Sequence, residues 1–290
     1  MIKWTITSRH KPGMTTEHFY YEWSVIHVSL MLTNPSTMRT FRRYAQHFGI
    51  LGVPGEVRVL PQHEMAWESH GEHWVDGTES IFASISGEDY RGRMQPHSFS
   101  DSAMELQLLE GETVFERQGF RSGGVKVLHV LKRPEALGQE AFEADWAGRH
   151  APALVVALKD RGLRKYVIDR PLRLDAAAFL SSLFQHGKVG QYAGTEELWF
   201  DDLEWAARMG SDPGVRELLR SSYGQFVDLE KSHSMYFIER VVFDFVTEGE
   251  AMPPAAVLDP ESLEARTSGG DWQVAAPALA GWSGVTTGGH

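Results

Sequence analysis

The stretch Phe19-Tyr20-Tyr21-Glu22-Trp23-Ser24-Val25-Ile26-His27 returns 123 positions later as Phe142-Glu143-Ala144-Asp145-Trp146-Ala147-Gly148-Arg149-His150. Phenylalanine, tryptophan and histidine keep spacings of four and four in both copies. Further markers follow in the same order: Tyr44 and Tyr166, Gly77-Thr78-Glu79 and Gly194-Thr195-Glu196, Glu116-Arg117 and Glu239-Arg240. Self-similarity on this scale sets the architecture before any local detail does. It divides the chain into a first repeat over 1–121, a second over 124–245 and a C-terminal extension over 246–290, with Gly123-Gly124 as the hinge.

Local signals give each repeat the order βαββαβ. In the first, a strand over 2–8 is followed by a helix capped at Thr15 or Thr16 and stopped at Asn34-Pro35. Strands over 40–48 and 79–86, a helix over 102–109 and a strand over 113–120 complete it. The second repeat reads as a strand over 125–131, a helix over 139–159, strands over 163–169 and 196–200, a helix over 203–223 and a strand over 236–245. Each unit is ferredoxin-like, with two helices on one face of a four-stranded sheet and the other face bare. Packed sheet to sheet, the two repeats form one pseudo-dimeric α/β barrel of the α+β class. The expected ligand site is a central cavity between the sheets.

Composition narrows the function classes. A net charge of −11 argues against nucleic acid and anionic membrane surfaces as partners, since both require a basic footprint. The absence of cysteine removes disulfides, thiolate nucleophiles and zinc–thiolate sites. With no signal-like N-terminus and no apolar span, a cytoplasmic monomer or homodimer is expected. Its partner is expected to be a small hydrophobic or aromatic substrate.

The run from Lys11 to His27, with its Phe, Trp and His helix, resembles the start of an EthD domain, and Phe41-Arg42-Arg43-Tyr44-Ala45-Gln46-His47 resembles that family's second strand. The second copy matches well over Phe142 to His150, but Tyr166-Val167-Ile168-Asp169 lacks the Gln and His. The resemblance implies a relative of the dimeric α/β-barrel proteins with the dimer fused into one chain. Those relatives include cofactor-free monooxygenases of quinols, polyketide cyclases and dehydratases, muconolactone-type isomerases and some haem-binding enzymes. Fold analogy does not choose among them.

The candidate residues come from the pattern. On α-helical geometry His27 sits at the margin of the stripe that buries Phe19 and Trp23, with His150 placed alike. Alternation on the second strand sends Tyr44 and Gln46 to one face and His47 to the other. Catalytic candidates are therefore His27, Tyr44, His47 and His150; substrate contacts are Trp4, Trp23, Phe82, Gln46, Trp146 and Tyr166. Eight of thirteen histidines lie between His10 and His97, which favours the first repeat as the seat of chemistry. No cofactor is expected. The alternative is a transition metal on His63, His70, His73 and Glu72, within a stretch taken as a polar loop. The long segments 49–76 and 171–193 are expected to cap the barrel ends and govern access. Trp272 and Trp282 are the large anchors of an extension expected to strap across the barrel or a partner chain. The leading function is His/Tyr acid–base chemistry on an aromatic or polyketide-like molecule, that is, dehydration, cyclisation or isomerisation. A phenol oxygenase, with or without a metal, and a non-catalytic carrier are the alternatives.

Overall fold

The computed structural model describes residues 1–94, 99–120, 122–180 and 182–246. The extension with Trp272 and Trp282 lies outside the described residues. The strands are β1 (Ile2–Ser8), β2 (Phe41–Gly49), β3 (Ser69–Val75) and β4 (Glu105–Glu116) in the first repeat. The second contributes β5 (Val125–Leu131), β6 (Leu163–Pro171), the short β7 (Lys188–Val189), β8 (Gly194–Phe200) and β9 (His233–Asp244). Their order β1-β3-β2-β9-β5-β8-β6-β4 closes through β4 on β1, so eight antiparallel strands form a barrel without a free edge. The two repeats meet at the β2–β9 and β4–β6 seams. Among the described residues, no helix is long and apolar enough to cross a membrane.

Side-chain chemistry sets the helix bounds. The Thr15 side chain accepts from the His18 amide at 3.2 Å, opening a helix that runs over 16–32 through a π turn at Glu22–His27. Asn34 then accepts from the Thr37 amide, starting a short helix Pro35–Thr40 not expected from the sequence. In the second repeat a helix over 139–158 has a π turn at Trp146–His150. The helix expected over 203–223 is two, Leu203–Ser211 and Pro213–Phe226, because Asp212 caps the second and Pro213 cannot continue the first.

Two elements of the first repeat differ from the sequence reading. Residues 79–86 are not a strand but part of the helix Thr78–Ser86, which buries Ile81 and Ile85 one turn apart. Residues 102–109 are not a helix: from Glu105 onward they are the first part of β4. The missing strand is β3, inside the stretch taken as a loop. Lys3 and Lys126, Glu72 and Glu197, and Trp74 and Trp199 occupy matching register positions in the two sheets. The Gly-Thr-Glu and Glu-Arg markers do not pair structurally.

Strand alternation explains where the space goes. Trp4, Tyr44 and Leu106 face the first repeat's helices, and Val127, Tyr166 and Leu198 face the second's, giving two separate apolar cores. Lys3, His47, His70, Glu72, Lys126, Asp169, Glu197 and Glu239 turn into the barrel, where all are buried. Lys3 Nζ lies 2.7 Å from Asp169 and is also bonded to Glu197; Lys126 Nζ lies 3.0 Å from Glu197 and is bonded to Glu72. Trp67, Leu128, Val130, Met235 and Phe237 plug one end. The barrel centre is thus charged, and the space left between the sheets is a polar pocket of about 280 Å3 lined by Lys3, Trp74, Asp169, Glu197 and Glu239. The long loops pack across the repeats: Ile50, Val53 and Leu60 join the second repeat's core, while Phe179 and Phe184 join the first's.

Removing one ammonium from this lattice strands buried carboxylates. Lys126→Met should lower the unfolding free energy by about 3–5 kcal/mol, measured by urea denaturation. A loss under about 1 kcal/mol would show that the lattice does not hold the barrel.

Candidate functional site

The cavity that brings the sequence candidates together lies between the sheet and the helices of the first repeat. Its volume is about 160 Å3, close to the roughly 150 Å3 that admits benzene in an engineered core. Trp4, Ile6, Tyr44, Gly71 and His73 supply the sheet side; Trp23, His27, Met31 and Tyr90 supply the helical side. Leu183 and Phe184, from the second repeat's long loop, form one wall. Phe184 meets the Trp4 ring edge-on at 5.0 Å. The loop 171–193 therefore encloses a site in the other repeat, whereas Trp67 of the first repeat's loop plugs the barrel.

The π turn corrects the placement of His27. With i→i+5 bonding, four residues make less than one full turn, not more, so His27 is carried to the opposite side of Trp23 from its α-helical position. It is half-buried, lines the cavity and meets the Phe99 ring at 5.1 Å.

Tyr44 is set up as a proton donor. Gln46 Nε2 donates to the Tyr44 hydroxyl at 3.0 Å and to the Trp23 carbonyl at 2.9 Å. Tyr44 thus accepts from Gln46 and keeps its own O–H for another acceptor. Burial pushes its pKa up, against the opposing effects of the Gln46 bond, the Arg240 charge and Trp23, so it is neutral at pH 7. Its ring stacks on His73, with centroids 4.6 Å apart and planes 12° apart.

His73 is a cavity residue that sequence reasoning assigned to a metal instead. Its Nδ1 lies 3.3 Å from the Trp4 carbonyl, which selects the Nδ1–H tautomer and leaves the lone pair on Nε2. Burial lowers its pKa to about 4, partly offset by that bond and by the Glu72 charge, so the ring is neutral. Recognising 69–75 as a strand would have paired His73 with Gly71 on one face and separated both from His70 and Glu72. The Trp4 indole N–H is buried without a hydrogen-bond partner among the described residues.

Other candidates lie elsewhere. His47 enters the barrel, donating from Nδ1 to the His70 carbonyl at 3.0 Å, so it does not share the cavity. Gln46 stands behind Tyr44. Phe82 packs on Phe179 at 5.6 Å, within the same apolar cluster but outside the cavity lining. In the metal set, His70 and His73 point to opposite faces of β3, and His63 packs against His233. His70 and Glu72 instead converge with Glu197, their ligand atoms within 4.8 Å of one another. Both carboxylates are already bonded to Lys126 and Lys3, whose ammoniums stand where a cation would have to sit. This donor set does not fit a metal.

His150, Trp146 and Tyr166 surround a carboxylate. Trp146 Nε1 donates to Glu196 Oε1 at 2.6 Å and Tyr166 Oη at 2.8 Å, while His150 Nε2 lies 3.3 Å away. Tyr223 and His129 contact Oε2, His129 Nδ1 at 3.3 Å. Burial would raise the Glu196 pKa; His150, His129 and their hydrogen bonds override it and hold it well below the usual carboxylate range.

Comparison with known proteins places this geometry. Residues 134–230 match the EthD domain. Chalcone isomerase cfoK of Aspergillus candidus is 22% identical over 219 residues, covering 73% of this chain and 85% of that protein. The crystal structure of an anthrone oxidase-like protein superposes with a TM-score of 0.55 at 14% identity, over 83% of this chain and 92% of its own. A mutant chlorite dismutase from Candidatus Nitrospira defluvii gives 0.46 at 12% identity, over 92% and 95%. The second repeat carries the EthD match, and the fold is that of the dimeric α/β-barrel proteins.

Acidification tests the buried neutral histidine. Unfolded histidine titrates near 6.5 and His73 near 4, so the unfolded state binds more protons between those values and stability falls as pH drops through that window. His73→Leu, which copies Leu198 at the matching register position, should flatten the slope by up to about 1.4 kcal/mol per pH unit. Urea unfolding at pH 4.5 and 7 reads this; equal slopes would reject a neutral His73.

Proposed function

We propose that this EthD-domain chain is an enzyme whose first repeat binds a small aromatic molecule between sheet and helices and moves a proton on it, with isomerisation or cyclisation as the net reaction. The observation that carries this reading is the convergence of His27, His73 and the Tyr44 hydroxyl on one aromatic-walled cavity. The likeness to a protein named chalcone isomerase supports it. His27 is assigned as the base, and Tyr44, polarised by Gln46, as the donor to an oxygen that gains charge.

For a phenol tethered to a conjugated ketone, the steps balance without an oxidant. His27 takes the phenolic proton, and the oxygen forms a C–O bond to the conjugated carbon. The C=C electron pair moves onto the carbonyl oxygen, which receives the Tyr44 hydrogen bond. The imidazolium then returns its proton to carbon as the C=O re-forms. The apolar walls of Trp4, Trp23 and Phe184 exclude water and hold the ring flat. One ring fills the observed volume, so a two-ring substrate requires Leu183 and Phe184 to move outward.

A 2′-hydroxychalcone serves as trial substrate. His27→Ala and Tyr44→Phe should each lower kcat by about 100-fold or more without oxygen uptake. Undiminished turnover by His27→Ala would sink the assignment. Oxygen consumed in step with substrate would transfer the site to the oxygenase class, and binding without conversion would make the chain a carrier.

A further inference from the structure

The second repeat contains a filled version of the first repeat's cavity. Ile6 pairs with Gly71 in the first sheet, and His129 pairs with Glu196 at the matching position of the second. Tyr44 opposite His73 likewise matches Tyr166 opposite Leu198. Trp23 and His27 match Trp146 and His150 along the helix, each pair spanning a π turn. Where the second repeat has Glu196, therefore, the first has a glycine. A Cβ at Gly71 would meet His73 Cε1 at 3.4 Å and Trp23 Cζ2 at 3.9 Å, so there is room for a side chain to start into the cavity.

The donors around Glu196 divide by oxygen. Oε1 accepts from Trp146 and Tyr166, with His150 Nε2 beside it at 3.3 Å, and all three residues have counterparts in the first repeat. Oε2 receives His129 and Tyr223. Ile6 replaces His129, and the helix that carries Tyr223, Pro213–Phe226, corresponds to a much shorter Glu88–Arg93. The residues around Oε1 are all retained, whereas beside the Oε2 position the histidine is lost and Tyr90, on Glu88–Arg93, is the tyrosine at the cavity wall.

From this we infer that the first repeat's cavity holds a substrate through a single anionic oxygen, a phenolate or enolate, seated where Glu196 Oε1 lies in the second repeat and held jointly by Trp23, Tyr44 and His27. The inference rests on the cavity being the ligand site, and it adds the charge and valence of the group bound there and a binding role for the Trp23 indole. A carboxylate is the poorer fit, because its second oxygen would meet Ile6 where Glu196 Oε2 meets His129.

The probe is 4-nitrophenol, whose ionisation is visible by absorbance, with benzoate and benzamide as competitors on the intact chain. The bound phenol should ionise at least one pH unit lower than the free one, equivalent to tenfold tighter binding of the anion, and benzoate and benzamide should compete weakly. Trp23→Phe and Tyr44→Phe should each shrink that shift. Gly71→Glu rebuilds the second repeat's arrangement and should abolish binding while the melting temperature holds or rises. An unshifted or raised ionisation of the bound probe overturns the inference, as does benzoate binding as tightly as nitrophenolate or a Gly71→Glu protein that binds normally. If none of the probes binds, the cavity reading falls as well. Loss of turnover alone bears on the proposed reaction and leaves these binding results standing.

Discussion

Two lysine ammoniums taken out of water at the centre of the barrel constrain everything around them. Each buried ion costs several kcal/mol unless closely paired, and here the partners come largely from the opposite repeat. Lys3 of the first meets Asp169 and Glu197 of the second; Lys126 of the second meets Glu72 of the first. Glu197 feels both its burial and the neighbouring Asp169 and Glu72 charges, which raise its pKa well above normal. Burial acts against Glu72 too, but Lys126 and Lys3 outweigh it and hold that carboxyl low. The two equivalent glutamates are therefore pushed in opposite directions within one lattice. With the interior lined by charge, an apolar ligand is disfavoured there, and the apolar-walled cavity lies instead on the outer face of the first repeat's sheet.

The same lattice explains what the sequence concealed. Barrel topology was legible because the Phe-Trp-His helix is amphipathic in the ordinary way, and Phe19, Trp23, Phe142 and Trp146 are all buried. Strand β3 was not legible, because both of its faces carry polar residues: His70 and Glu72 serve the lattice, and His73 serves the cavity. Hydrophobic alternation cannot mark a strand whose buried partners are lysines. The apolar run 79–86 reads as the strand in its place, although the spacing of Ile81 and Ile85 also suits a helix. His27, Tyr44, Trp4 and Trp23 could be nominated from spacing and alternation, but their convergence depends on a π turn and a sheet register that no local pattern encodes.

The two repeats differ less in their donors than in what those donors face. Trp, Tyr and His are present in both; a glutamate lies among them in one, and a glycine with a cavity beside it takes that place in the other. The two copies thus share a polar constellation and differ in what fills its centre, a buried carboxylate in the second repeat and a cavity in the first.

The crossed loops give that division of labour a genetic reading. Leu183 and Phe184 are encoded within the second repeat yet wall the cavity of the first, and Phe179 and Phe184 belong to the first repeat's core. Ile50, Val53 and Leu60 make the reciprocal contribution. Neither half can be inherited, excised or replaced as a unit without removing part of the other's interior. A change at Leu183 or Phe184 in the second repeat would therefore reshape the cavity of the first.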